Sequence, residues 1–146
     1  MLQGRNAIIT GSTSGIGLGI ATAFAQSGAN IMLNGFGDPA DIEAIRKGLA
    51  EQHGVEVIYS DADMTQPAQI QSMVESAIQH FGKVDILVNN AGIQHVAPVD
   101  EFPAEKWDAI IAINLSSAFH TIHNALPGMK QQGWGRIINI ASAHGL

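Results

Sequence analysis

The chain has 146 residues without a cysteine, 14% of them charged, with 13 Asp plus Glu against 7 Lys plus Arg. Disulfides, thiolate metal sites and Cys nucleophiles are therefore excluded, and the acidic balance argues against nucleic-acid or anionic-membrane binding. A 46% hydrophobic content suits one core, so residues 1–146 are expected to form a single domain. No apolar run approaches the roughly 18 residues of a membrane span, and Met1-Leu2-Gln3-Gly4-Arg5 lacks a signal-peptide core, so a cytoplasmic setting is expected.

Residues 7–10 read as a first strand, and the Ile16, Ile20, Phe24 stripe as a helix that closes at Gly28. A second strand spans 31–33. The helix after it carries Ile42, Ile45 and Leu49, with Asp38 as cap, Pro39 at its first position and Gly54 as its stop. Residues 55–59 form a third strand, followed by a helix with Ile70, Met73, Val74, Ala77 and Phe81 before Gly82. Residues 86–89 form a fourth. One long helix then opens near Pro103, with Trp107, Ile110, Ile111, Leu115, Ala118 and Phe119 on one face, and residues 136–141 supply a fifth strand.

The strands are continuous apolar runs, as required when helices cover both faces of a parallel sheet. The expected fold is α/β, a doubly wound parallel sheet of the Rossmann type ordered 3-2-1-4-5. The chain stops just after the fifth strand, leaving an apolar edge bare, so the domain is expected to be incomplete at its C-terminus.

Between the first strand and the first helix stands Thr10-Gly11-Ser12-Thr13-Ser14-Gly15-Ile16-Gly17. Gly11 permits a sharp turn, Gly15 lets backbone approach a pyrophosphate, and Gly17 permits close packing of helix on sheet. The spacing is T-G-x-x-x-G-x-G and not G-x-G-x-x-G, because Ile20 stands where the latter needs its third glycine. The plainer reading is a glycine-rich turn that only joins strand to helix.

The Trp107, Ile110, Ile111 stripe places Asn114 toward the core, and a buried amide needs specific partners. Helix packing is the alternative role. Gly11, Asp63, Asn90 and Ser142 follow strands one, three, four and five, so all converge on the carboxyl edge where such sheets bind ligands. Taken singly, Asp63 also reads as part of a helix-capping cluster before Pro67, and Ser142 as a turn residue. His120 and His123 are spaced for a metal, but no neighbouring Cys or carboxylate completes a set.

The glycine pattern, together with Asn89-Asn90-Ala91-Gly92, resembles the short-chain dehydrogenase/reductase family, whose N-N-A-G motif follows the fourth strand. The resemblance implies a nicotinamide dinucleotide held by Gly11, Thr13, Ser14, Gly15, Ile16 and Gly17, by Asp63 and Met64 at the adenine, and by Asn90, Ala91 and Gly92. It implies that Asn114 holds a water in a proton relay and that Ser142 hydrogen-bonds the reacting oxygen. At Asn34-Gly35-Phe36 neither the Asp of NAD-preferring relatives nor a basic residue is present, and Phe36 is placed to pack near the adenosine. With no Arg or Lys there or at Ser14, a 2′-phosphate lacks charged partners, which favours NAD.

Residues 91–96 and 142–146 resemble the D-3-hydroxybutyrate dehydrogenase branch of that family, which implies that Gln94 and His144 bind the acid group of a small carboxylate substrate. The reaction implied is D-3-hydroxybutyrate plus NAD to acetoacetate plus NADH. The family's general acid/base is the Tyr of a Tyr-x-x-x-Lys motif, whereas Tyr59 here is followed three and four residues on by Ala62 and Asp63. Residues 1–146 alone are therefore expected to lack turnover, the alternative being a non-catalytic NAD-binding module. The resemblance also implies a homotetrameric parent paired through the long helix.

Overall fold

β1 (Asn6–Ile9) is buried along its whole length, because it is the middle strand of a five-stranded parallel sheet. It pairs with β2 (Asn30–Asn34) on one side and β4 (Ile86–Asn89) on the other. β3 (Val57–Ser60) adds outside β2 and β5 (Arg136–Asn139) outside β4, giving the order β3-β2-β1-β4-β5. This is the doubly wound topology the apolar strands called for. The computed structural model describes residues 1–143.

Between the strands run α1 (Gly15–Gln26), α2 (Pro39–His53) and α3 (Pro67–Phe81). After β4 come a single turn at Val99–Glu101, then α4 (Ala104–Ile111), a π-turn (Ala112–Ser116) and α5 (Ser117–Gln132). One face of the sheet packs Ile9, Ile31 and Leu33 against Ala21, Ala25 and Leu49 of α1 and α2. The other packs Ile8, Met32 and Leu87 against α3 and α5 through Ile70, Met73, Val74 and Met129. Each such large side chain contributes about 1.5–3 kcal/mol relative to exposure.

Local signals set the helix ends. Asp38 Oδ1 accepts from the N–H groups of Ala40 and Asp41 at 2.8 and 3.2 Å, with Pro39 in the first turn of α2. Gly54 closes α2 in the left-handed conformation, and the N–H of Val55 also bonds back to Ala50, so β3 starts at Val57 and not at residue 55.

Two helical faces depart from the periodic reading. In α1 the buried residues are Gly17, Ala21 and Ala25, while Ile16 is 71% exposed and Ile20 and Phe24 are only partly buried. Small side chains let α1 lie close on the sheet, so the larger ones flank the contact. In the long helix, the π-turn inserts an extra residue and advances the helical phase by roughly 100°. Trp107, Leu115 and Phe119 stay about 60–65% exposed, and the inward face of α5 is Ser117, Thr121, Ala125 and Met129. Asn114 lies within the π-turn and is exposed, contrary to the expected burial.

Candidate functional site

The loops after β1 and β4 are stitched together by polar side chains. Thr10 Oγ1, almost fully buried, accepts from the N–H groups of Asn90 and Ala91 at 3.0 and 2.9 Å. Asn90 Nδ2 in turn donates to the carbonyls of Thr10 and Gly11 at 3.1 and 3.0 Å. These bonds satisfy backbone groups that a tight loop leaves without ladder partners.

The glycines between them have separable jobs. A Cβ built on Gly17 would run into the Gly11 carbonyl oxygen and the Asn90 amide, so Gly17 is what lets α1 start beneath this loop. Gly11 has φ +61°, and a Cβ there would sit 2.9 Å from Ala91 Cα. Gly15 also has positive φ, at +56°, yet a Cβ on it would meet nothing within 4 Å. It is the first residue of α1, whose start no side chain caps and whose first turn holds no acidic residue. An uncapped N-terminus beside a glycine with free space fits an anionic group brought close to backbone.

Asn34, at the end of β2, is the hub that sequence pattern did not reveal. It is 1% exposed, and its Oδ1 accepts from the Gly11 N–H at 3.1 Å. Its Nδ2 donates to the carbonyls of Ser60 and Ala62 at 3.2 and 3.1 Å. One amide therefore fixes the loops after β1, β2 and β3 together. Its signal is a polar residue at the end of an apolar strand, a position where a buried amide must find partners.

These loops enclose a cleft of about 280 Å³ at the carboxyl edge of the sheet. Gly11, Thr13, Ser14, Phe36, Asp63, Met64, Asn90, Ala91 and Gly92 all line it. Asn34, Gly35, Ala62, Ile93 and Ile113 complete the lining, and no Lys or Arg is among them. Phe36 is 69% exposed, with its carbonyl accepting from Thr13 Oγ1 at 3.1 Å. Asp63 Oδ1 accepts from the N–H and hydroxyl of Thr65 at 2.9 and 2.7 Å, so this residue orders the start of α3 while facing the cleft.

The remaining sequence-derived positions lie around this cleft without lining it. Ile16 points to solvent and Gly17 is buried beneath the loop. Asn114 grips Ile93 from both sides: Oδ1 accepts from its N–H and Nδ2 donates to its carbonyl, each at 2.9 Å. The amide has the specific partners expected of it, but at the surface, one residue before the exposed Gln94. Ser142 is exposed beyond β5, where the Ile140 N–H still bonds to the Asn89 carbonyl at 3.0 Å. His144 lies outside the described residues.

A second polar ladder was not legible either. Thr121 Oγ1 donates to Asn89 Oδ1 at 2.5 Å, and Asn89 Nδ2 donates to Asn139 Oδ1 at 2.9 Å, tying α5, β4 and β5 at the ends that carry Asn90 and Ser142. Tyr59, on β3, donates its hydroxyl to the Gly35 carbonyl; burial, then the nearby Asp61 charge, raises its pKa. Among the described residues no group of three His, Cys, Asp or Glu is gathered for a metal, and no helix is long and apolar enough to cross a membrane.

Residues 5–146 match the family model described as short chain dehydrogenase. The chain is 62% identical over 146 residues to the D-beta-hydroxybutyrate dehydrogenase of Cupriavidus necator, covering 100% of this chain and 56% of that protein. It thus spans about half the length of the curated relatives it matches. Its fold superposes on L-sorbose reductase from Gluconobacter frateurii, complexed with NADPH and L-sorbose, with TM-score 0.92 and 37% identity over 97% of this chain and 54% of that one. NAD+-bound xylitol dehydrogenase matches with TM-score 0.90 and 33% identity, over 99% of this chain and 55% of that one. Fold, site geometry and sequence agree that the chain belongs to the short chain dehydrogenase family of oxidoreductases.

Proposed function

We propose that this chain is the dinucleotide-binding part of an NAD-dependent oxidoreductase that interconverts a small hydroxy acid and its keto acid, with D-3-hydroxybutyrate and acetoacetate as the pair. The observation that carries the reading is the cleft itself, where Ser14, the uncapped helix boundary before α1, meets loops locked by Thr10, Asn34 and Asn90. The substrate rests on the 62%-identical relative, a D-beta-hydroxybutyrate dehydrogenase, and on the motif resemblance around Gln94 and His144.

The residues present fit a dinucleotide. Backbone at Gly15, Ile16 and Gly17 would hold its phosphates, Asp63 and Met64 its adenine, and Asn90, Ala91 and Gly92 the end near the reaction. When bound, the nicotinamide supplies the hydride acceptor. The chain's own residues bind and orient the substrate. Ser142 hydrogen-bonds the reacting oxygen of the substrate, Gln94 and His144 donate to its carboxylate, and Asn114 holds Ile93 so that Gln94 starts from a fixed backbone.

NAD is preferred because no cationic side chain lines the cleft while Asp63 does, leaving a 2′-phosphate dianion without charge-assisted donors. The only tyrosine among residues 1–146 is Tyr59, engaged with Gly35 on β3 and remote in sequence from Ser142. These residues alone therefore bind nucleotide without turnover. Calorimetric titration tests the reading: NAD binds in the micromolar range and NADP at least about tenfold more weakly, for want of one charge-assisted contact. Equal affinity for the two, or enzyme-like NADH production from D-3-hydroxybutyrate by residues 1–146, would sink it.

A further inference from the structure

We propose that Tyr59 is a positioning residue for the nucleotide: its hydroxyl fixes the Gly35–Phe36 peptide so that the Phe36 N–H becomes the donor to the 2′-oxygen of the adenosine ribose. The proposal rests on the dinucleotide reading above and names the group that recognises one end of that ligand.

Tyr59 stands behind the turn after β2. Gly35 and Phe36 line the cleft and Tyr59 does not, yet its hydroxyl donates to the Gly35 carbonyl. Among the described residues every peptide is trans, so in the planar Gly35–Phe36 link the Phe36 N–H points away from the Gly35 carbonyl and hence away from Tyr59. On the other side of Phe36, its own carbonyl is held by Thr13 Oγ1 at 3.1 Å. Both peptides flanking this residue are thus pinned, one from β3 and one from the glycine-rich loop.

Three further observations support the assignment. Among the described residues no acceptor takes the Phe36 N–H, so a backbone donor is left open beside the cleft. Gly35 sits at φ +151°, and a Cβ there would collide with the Thr13 side chain, so no side chain at this position can take over recognition. Asn34 ties the same turn to the Ser60 and Ala62 carbonyls at the end of Tyr59's own strand. The phenol, protonated at neutral pH at its ordinary pKa of about 10 and more so with burial raising it, stays a donor. A single neutral N–H suits a ribose hydroxyl.

The test compares NAD with 2′-deoxy-NAD by calorimetry on the chain and on Tyr59→Phe. The chain is expected to prefer NAD about tenfold, the worth of one hydrogen bond. Tyr59→Phe weakens NAD by a similar factor while leaving 2′-deoxy-NAD unchanged, so the ratio falls toward one. Equal weakening of both ligands means that Tyr59 is only structural, and overturns the proposal. Should the variant not fold, the amide resonance of Phe36 in the unaltered chain decides: it shifts with NAD and stays with 2′-deoxy-NAD, and equal shifts overturn the proposal. Binding of neither nucleotide overturns the dinucleotide reading together with this one, whereas a 2′-hydroxyl preference retained in Tyr59→Phe overturns this one alone.

Discussion

Asn90 donates twice to Thr10 across 80 residues of sequence: its N–H bonds Thr10 Oγ1 at 3.0 Å, and its Nδ2 bonds the Thr10 carbonyl at 3.1 Å. The pair joins the ends of β1 and β4, so the loops that follow these two strands are fixed to each other. Asn90→Ala removes the donor to both Thr10 and Gly11 and leaves two part-buried carbonyls without it. The expected cost is about 1–3 kcal/mol of stability, by the penalty for unmet buried polar groups. Urea denaturation checks the stability, and NAD titration is expected to show weaker binding in the same variant.

Gly15 and Gly17 give a sharper pair because their surroundings differ. Gly17→Ala must displace the Gly11 carbonyl, and is expected to cost about 1–3 kcal/mol, as overpacking does. Gly15→Ala meets no atom, so its cost is only the positive φ, on the order of 1 kcal/mol. Its effect on NAD affinity is nonetheless expected to be the larger in proportion to stability, since on the proposed reading the Gly15 backbone lies against the phosphates and an added methyl would hold them off. Melting temperature and dissociation constant measured on both variants separate the two roles. Similar ratios of binding loss to stability loss would contradict them.

The topology was legible because its determinants are local. Runs such as Ala7-Ile8-Ile9, the Asp38-Pro39 start and the Gly54 and Gly82 stops are written in a few neighbouring residues, and each appears where periodicity puts it. The line of residues around the cleft was legible for a related reason, since loops at strand ends must share one edge in a parallel sheet. Asn34, Thr10 and Thr121 were not legible, because their partners stand 23, 80 and 32 residues away and no local pattern announces them. The buried faces of α1 and the long helix are not legible from periodicity, because hydrophobicity does not set depth there. In α1 close approach selected glycine and alanine instead, and in the long helix a π-turn reset the phase around Asn114.

Asn114 now carries a different expectation from that of a buried amide. Its two bonds to Ile93 are exposed to solvent, so Asn114→Ala is expected to cost no more than about 1 kcal/mol of global stability, the net worth of ordinary hydrogen bonds. The effect should be local. Hydrogen exchange at the Ile93 amide is expected to speed up strongly while amides of β1 and β4 stay unchanged. Uniform acceleration across the sheet would show that this side chain supports the core and not the loop that carries Gln94.

Tyr59 makes the last expectation a matter of sign. Burial holds its folded pKa above the ordinary phenol value of about 10, with the Asp61 charge adding to the effect. A raised folded pKa means that the protonated phenol stabilises the native state fully below pH about 10, and that this contribution is lost as pH climbs through the folded pKa. The chain should therefore lose stability above pH about 10, through a group that also donates to Gly35 only while protonated. As the only tyrosine in the sequence, Tyr59 reports itself by tyrosinate absorbance. The absorbance midpoint is expected above that of a model phenol in the folded chain and at the ordinary value in urea. Tyr59→Phe should remove this component of the alkaline loss, leaving whatever arises from other groups. A native midpoint at or below the denatured one would mean that the hydroxyl is solvated and does not hold the turn beside Phe36.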